Sequence, residues 1–118
     1  MTFSYLNCNF SAFAHRGGAN DFTENTLDAF QQSINLGFKY IETDVQATKD
    51  NKLVIFHDDN LKRMMNVDID ISSINYDELK KYKIMGAYEV PTFLEAVSSW
   101  PNIKFNVEPK SDKSAELL

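Results

Sequence analysis

Along this chain, short apolar stretches with strand character alternate with stretches of helical period, and that alternation constrains the fold more than anything else in the sequence. Phe10–Ala14 reads as a short strand running into the turn His15-Arg16-Gly17-Gly18. From Asn25 to Leu36, the residues Leu27, Phe30 and Ile34 recur at helical spacing. Asn25 or Thr26 can cap that helix, and Gly37 stands where a C-terminal glycine belongs. Phe38–Val45 and Leu53–His57 are strand candidates. Pro91, Thr92 and Glu95 announce a second helix through a capping box, with Phe93, Leu94, Ala96 and Val97 as its apolar face. After the break at Pro101, Ile103–Glu108 alternates as a fourth strand. In the less regular region between, Asp77–Tyr82 predicts one or two helical turns, with Tyr76 and Leu79 buried. The residues from Pro109 onward are polar and read as a loop or an untethered tail.

This order predicts an α/β protein with four parallel strands and flanking helices. The eight residues from Val45 to Lys52 are too few for a helical crossover. Fully extended they span about 26 Å, more than the roughly 17 Å of a five-residue strand, so a non-helical crossover is expected there. Composition removes several classes. With 12 basic and 17 acidic side chains the net charge is −5, unsuited to a dedicated nucleic-acid binder. The longest strictly apolar run, Leu53–Phe56, is far too short to span a membrane. The first ten residues carry neither the basic nor the apolar part of a secretion signal, and the single cysteine, Cys8, excludes a disulfide framework or a cysteine metal cage. A cytoplasmic chain is expected.

The conspicuous polar residues sit at the downstream ends of the strand candidates. His15 and Arg16 follow the first, Glu42 and Asp44 close the second, His57 ends the third, and Glu108 with Lys110 ends the fourth. Side chains alternate across a strand, so Glu42 and Asp44 share one face, and Asn106, Glu108 and Lys110 share another. A parallel strand buried on both faces is apolar on both, so carboxylates on one face imply a polar mouth, where ligands of parallel α/β folds bind. Each residue alone has a structural reading: surface carboxylates, a loop histidine, an arginine beside glycines, an exposed Glu108–Lys110 pair, an Asp58-Asp59 turn. Jointly, both histidines and three carboxylates at one edge suit metal-assisted phosphoryl chemistry. Three carboxylates select Mg2+, Ca2+ or Mn2+ over zinc. Two histidines offer a general acid and base near neutral pH, and Arg16 and Lys110 offer donors to phosphate oxygens.

The segments HRGG (15–18), ENTLDAF (24–30), IETDVQATKDNKLVIFHDDNLKR (41–63), PTFLEA (91–96) and NVEPK (106–110) occur in one order over almost the whole chain. In that ordered set the chain resembles the glycerophosphodiester phosphodiesterase family, which belongs with the phosphatidylinositol-phospholipase-C-like TIM barrels. The resemblance implies hydrolysis of a glycerophosphodiester to an alcohol and glycerol 3-phosphate. His15 and His57 would be the acid–base pair; Glu42, Asp44 and Glu108 would bind one divalent cation, Mg2+ or Ca2+; Arg16 and Lys110 would contact the phosphodiester. Glu24 and Asn25 look like the family's structural acid–amide pair, bracing the loop after the first strand. Two positions depart from the pattern: Thr23 replaces a usual proline, and Met64 and Met65 replace hydroxyl residues, which makes them core or cleft lining.

A (β/α)8 barrel takes about 250 residues, whereas this chain has 118 and matches the N-terminal half of one. Two expectations follow: a truncated product, or two copies pairing as a homo-oligomer that closes a barrel. The alternatives to the phosphodiesterase reading are a non-catalytic half-barrel that binds metal or phosphate, or only self-associates, and a related lyase that stops at the cyclic phosphate.

Overall fold

A computed structural model describes residues 12–118. Cys8 and the first part of the Phe10–Ala14 stretch lie outside the described residues. The elements are β1 (Phe13–Ala14), α1 (Leu27–Asn35), β2 (Tyr40–Ala47), β3 (Leu53–Ile55), α2 (Lys62–Met65), α3 (Tyr76–Leu79), α4 (Phe93–Ser99), β4 (Lys104–Pro109) and α5 (Asp112–Leu117). The strands form one sheet centred on β2. Among the described residues no helix is long and apolar enough to cross a membrane.

The register explains the layout. β4 runs parallel to β2 along its whole length, from Tyr40 opposite Lys104 to Val45 opposite Pro109. Tyr40 and Ile41 also pair with β1, and Val45 also pairs with Ile55 of β3. A strand residue has only two edges, so β1 and β3 lie one after the other along the edge of β2 that β4 does not occupy. They leave the stretch Glu42–Asp44 between them.

The α/β class holds, but β3 runs antiparallel to β2. The crossover expected between Val45 and Lys52 is instead a tight reversal. Thr48 N–H donates to Lys52 O (3.0 Å), Asn51 N–H donates to Thr48 O (3.0 Å), and Asn51 adopts left-handed backbone (φ 61°). Five residues separate the two strands, which suits a hairpin loop.

Two apolar cores flank the sheet. On one, α1 and α4 cover the face carrying Ile41 and Val45, with Phe30, Ile55 and Ala96 buried and Phe105, Val107 and Trp100 packed against them. The other gathers residues 54–90, with Val54, Phe56, Leu61, Met64, Ile71, Leu79, Ile84 and Val90 at its centre. Met64 is therefore core, with Met65 packed against it.

Several local expectations change. Helix α1 begins at Leu27, capped by Thr26, whose hydroxyl accepts from Ala29 N–H (3.0 Å). The capping box on α4 forms between Thr92 and Glu95, but Leu94 is 72% exposed because it faces away from the sheet. Leu79 is buried and Tyr76 only half-buried, its hydroxyl donating to Val90 O (3.1 Å). Strand β2 continues two residues past Val45, so Glu42 and Asp44 lie mid-strand. The tail is not loose: Ser111 caps α5 in a reciprocal pair with Ser114.

Candidate active site

The sheet face opposite the helices carries Glu42, Asp44 and Gln46 from β2, with Asn106 and Glu108 from β4. Because Asp44 is the register partner of Glu108, and Glu42 of Asn106, parallel pairing alone makes the carboxylates neighbours. Donor oxygens of Glu42, Asp44 and Glu108 all lie within 4.8 Å of one another. Asp44 is buried, Glu42 half-buried and Glu108 exposed.

The histidines enter from opposite directions. Ala14 pairs with Ile41, so His15, one residue on, comes level with Glu42. Val45 pairs with Ile55 and Phe56 N–H donates to Asp44 O (3.1 Å), so β3 brings His57 back down toward the same gap. The hairpin thus delivers its histidine to the interval that β1 leaves open. His15 Nε2 stands 3.9 Å from Glu42 Oε2, and His15 is 67% exposed.

Arg16 links the two sides. Its backbone is left-handed (φ 48°), uncommon for a residue with a Cβ, and this turns its N–H onto Glu42 Oε2 at 2.9 Å. Its guanidinium donates through Nη2 to His57 Nε2 (2.8 Å) and through Nη1 to Glu24 Oε1 (3.3 Å), while Nε lies 3.8 Å from Asp44 Oδ2. That Nε is buried without a hydrogen-bond partner among the described residues. The glycine after it is obligatory: at Gly17 (φ 72°) a Cβ would fall 2.2 Å from the Phe30 ring. Lys110 follows β4 and donates to Glu108 Oε1 at 3.2 Å.

Asn25 does more than brace a loop. It is buried in left-handed backbone (φ 54°), donates from Nδ2 to Asp44 Oδ2 (3.0 Å) and accepts from Thr43 Oγ1 at Oδ1 (2.8 Å). An ionised carboxylate can only accept, so the amide nitrogen has to face Asp44. Gln46, next after Asp44 on the carboxylate-bearing face, donates to His57 O (3.2 Å) and Asp59 Oδ1 (3.1 Å) and thereby anchors the turn after β3. Asp58 is likewise more than a turn residue, because it lies 2.7 Å from His57 Nδ1. Sequence reasoning left Gln46, Asp58 and Arg63 out of the site. For Gln46 a signal existed, two residues past Asp44 on the same face; for Asp58, the adjacent histidine; for Arg63, only its place at the end of the 41–63 segment.

The donor set fits a hard divalent cation. A span of 4.8 Å is about twice a Ca–O bond of 2.3–2.6 Å. Glu42 Oε1, Asp44 Oδ1 and Glu108 Oε2 have no hydrogen-bond partner among the described residues. Ionised carboxylates whose oxygens lie within 4.8 Å of one another repel by roughly 3 kcal/mol or more per pair at an effective dielectric of about 20. Arg16 and Lys110 offset part of that, and a divalent cation would offset the remainder.

Residues 15–117 match the model of the glycerophosphoryl diester phosphodiesterase family. The chain belongs to that family. It is 34% identical over 110 residues to a human lysophospholipase D, covering 82% of this chain and 35% of that protein. It is 36% identical over 109 residues to a glycerophosphodiester phosphodiesterase of Bacillus altitudinis, covering 84% of this chain and 44% of the relative. Among solved structures, the Thermotoga maritima glycerophosphodiester phosphodiesterase superposes with a TM-score of 0.77 at 31% identity over 91% of this chain and 47% of its own. An Oleispira antarctica phosphodiesterase in complex with sn-glycerol 3-phosphate gives 0.79 at 33% identity, over 86% and 44%. The chain spans less than half the length of these relatives.

Proposed function

We propose that this site hydrolyses a glycerophosphodiester to an alcohol and glycerol 3-phosphate, with one Mg2+ or Ca2+ held by Glu42, Asp44 and Glu108. The observation that carries the reading is the gap on β2: three carboxylates, both histidines of the chain and Arg16 converge there from four strands. The relative that holds sn-glycerol 3-phosphate, the product of such a reaction, supports the substrate class.

Arginine carries only donors, so His57 Nε2 accepts from Arg16 and the ring proton sits on Nδ1, facing Asp58. His57 therefore begins as the base. Arg16 turns to the phosphate, and Nε2 takes the proton from the glycerol hydroxyl beside phosphorus; that oxygen attacks and the alcohol departs with a proton from His15. Arg16 and Lys110 hold phosphoryl oxygens as negative charge develops. When bound, the cation supplies Lewis-acid charge neutralisation at those oxygens. Water then opens the cyclic phosphate with the histidine roles reversed.

The test is turnover of glycerophosphocholine followed by phosphorus NMR, with and without chelator, on the chain and on His15→Ala and Glu42→Ala. A chelator-sensitive rate that both substitutions remove is expected. Unchanged rates in both variants would overturn the assignments, a folded, metal-loaded but inert chain would favour the non-catalytic half-barrel, and accumulation of cyclic phosphate would favour the lyase.

A further inference from the structure

Five side chains close a ring beside the carboxylate cluster. His57 Nδ1 donates to Asp58 Oδ1 (2.7 Å), and Arg63 donates to both Asp58 oxygens, from Nε (2.8 Å) and Nη2 (3.0 Å). The same guanidinium donates to both oxygens of Glu24, from Nη1 and Nη2, each at 2.9 Å. Glu24 accepts from Arg16 Nη1, and Arg16 Nη2 returns to His57 Nε2. The ring draws on three segments: the loop after β1, the turn after β3, and α2.

We propose that Arg63, whose side-chain hydrogen bonds among the described residues go to Glu24 and Asp58 and not to Glu42, Asp44 or Glu108, is a positioning residue: by gripping Asp58 and Glu24 together it fixes the His57 ring with Nδ1 protonated and Nε2 bare, and fixes the reach of Arg16. This rests on the phosphodiesterase reading above. Three observations support it. First, His57 Nδ1 has one acceptor, Asp58, and Asp58 is oriented from its other side by Arg63 alone among the described residues. Hydrogen bonds from Arg63, then from His57, hold the Asp58 carboxyl down at about 2, so it stays an ionised acceptor. Second, the backbone at His57 is secured independently through Gln46, so loss of Arg63 frees the side chains without releasing the turn. Third, Arg63 is 47% exposed whereas Glu24 and Asp58 are 12% and 23% exposed, so the guanidinium grips both carboxylates from the rim. Its planar fork spans two carboxylates at once, a task a lysine ammonium does not perform.

The experiment compares the chain with Arg63→Met and Arg63→Lys by 15N NMR of the histidine rings, at a pH where they are neutral, and by steady-state kinetics on glycerophosphocholine. Expected are a shift of His57 from the Nδ1–H form toward the Nε2–H form and a kcat lower by about 10–100-fold with KM nearly constant, as for other groups that orient catalytic side chains. Arg63→Lys should fall nearer to Arg63→Met than to the parent. An unaltered tautomer in a folded Arg63→Met chain would overturn the proposal, and should that variant fail to fold, an unaltered tautomer in Arg63→Lys would overturn it equally. If the parent chain shows no turnover, the phosphodiesterase reading fails by itself, while the tautomer still decides whether Arg63 governs the His57 ring.

Discussion

Asn25 is held in left-handed backbone with its amide between Thr43 and Asp44, so it orients Asp44, a proposed cation ligand, from behind. Replacing it by alanine strips a buried carboxylate oxygen and a buried hydroxyl of their partners, and also puts a less tolerant residue at positive φ. Asn25→Ala should destabilise the fold by roughly 2–4 kcal/mol in urea denaturation, and weaken cation binding with it. Asp58 offers a pH prediction. Its carboxyl is held at about 2, below its ordinary 3.8, chiefly by Arg63. Between those values the unfolded chain binds the proton and the folded chain does not, so stability falls with acidification there. The contribution is complete above about pH 5 and is lost progressively down to about pH 1, below both values. Arg63→Met should flatten that part of a urea-midpoint profile against pH. Strand alternation sufficed to put Glu42 with Asp44, and Asn106 with Glu108. It could not reveal that Arg63 meets Glu24 across 39 residues, because that contact depends on how two loops pack.

At the scale of elements, local chemistry was legible where side chain and backbone neighbours lie within one turn. The Thr92–Glu95 box on α4 is such a case, and Thr92→Ala should cost about 1 kcal/mol by the same denaturation assay, since the orphan N–H of Glu95 loses its acceptor. Helix α5 escaped because its box pairs Ser111 with Ser114, where a glutamate or glutamine is the usual third residue. The direction of β3 escaped for a different reason. Its apolar run reads the same in either direction, and only the short reversal at Thr48–Lys52 distinguishes hairpin from crossover. That reversal has a functional consequence, since it aims His57 back at the residues that β1 leaves uncovered.

For the whole molecule, the design is a central strand served from one edge by two short strands meeting head to head and from the other by a parallel strand in register. The carboxylates come from the parallel pair, the histidines from the broken edge, and Arg16 from the turn after β1. The fold class and the family were legible because ordered motifs survive without tertiary detail; the meeting of β1 and β3 on one edge was not, since it is set by strand register. Glu42, Asp44 and Glu108 are proposed to act together on one cation, and calorimetric titration of the folded chain with Mg2+ and with Ca2+ decides whether they do. One bound cation per chain, lost in both Glu42→Gln and Glu108→Gln, is the predicted result; no binding by the parent chain, or binding that survives both substitutions, would contradict it.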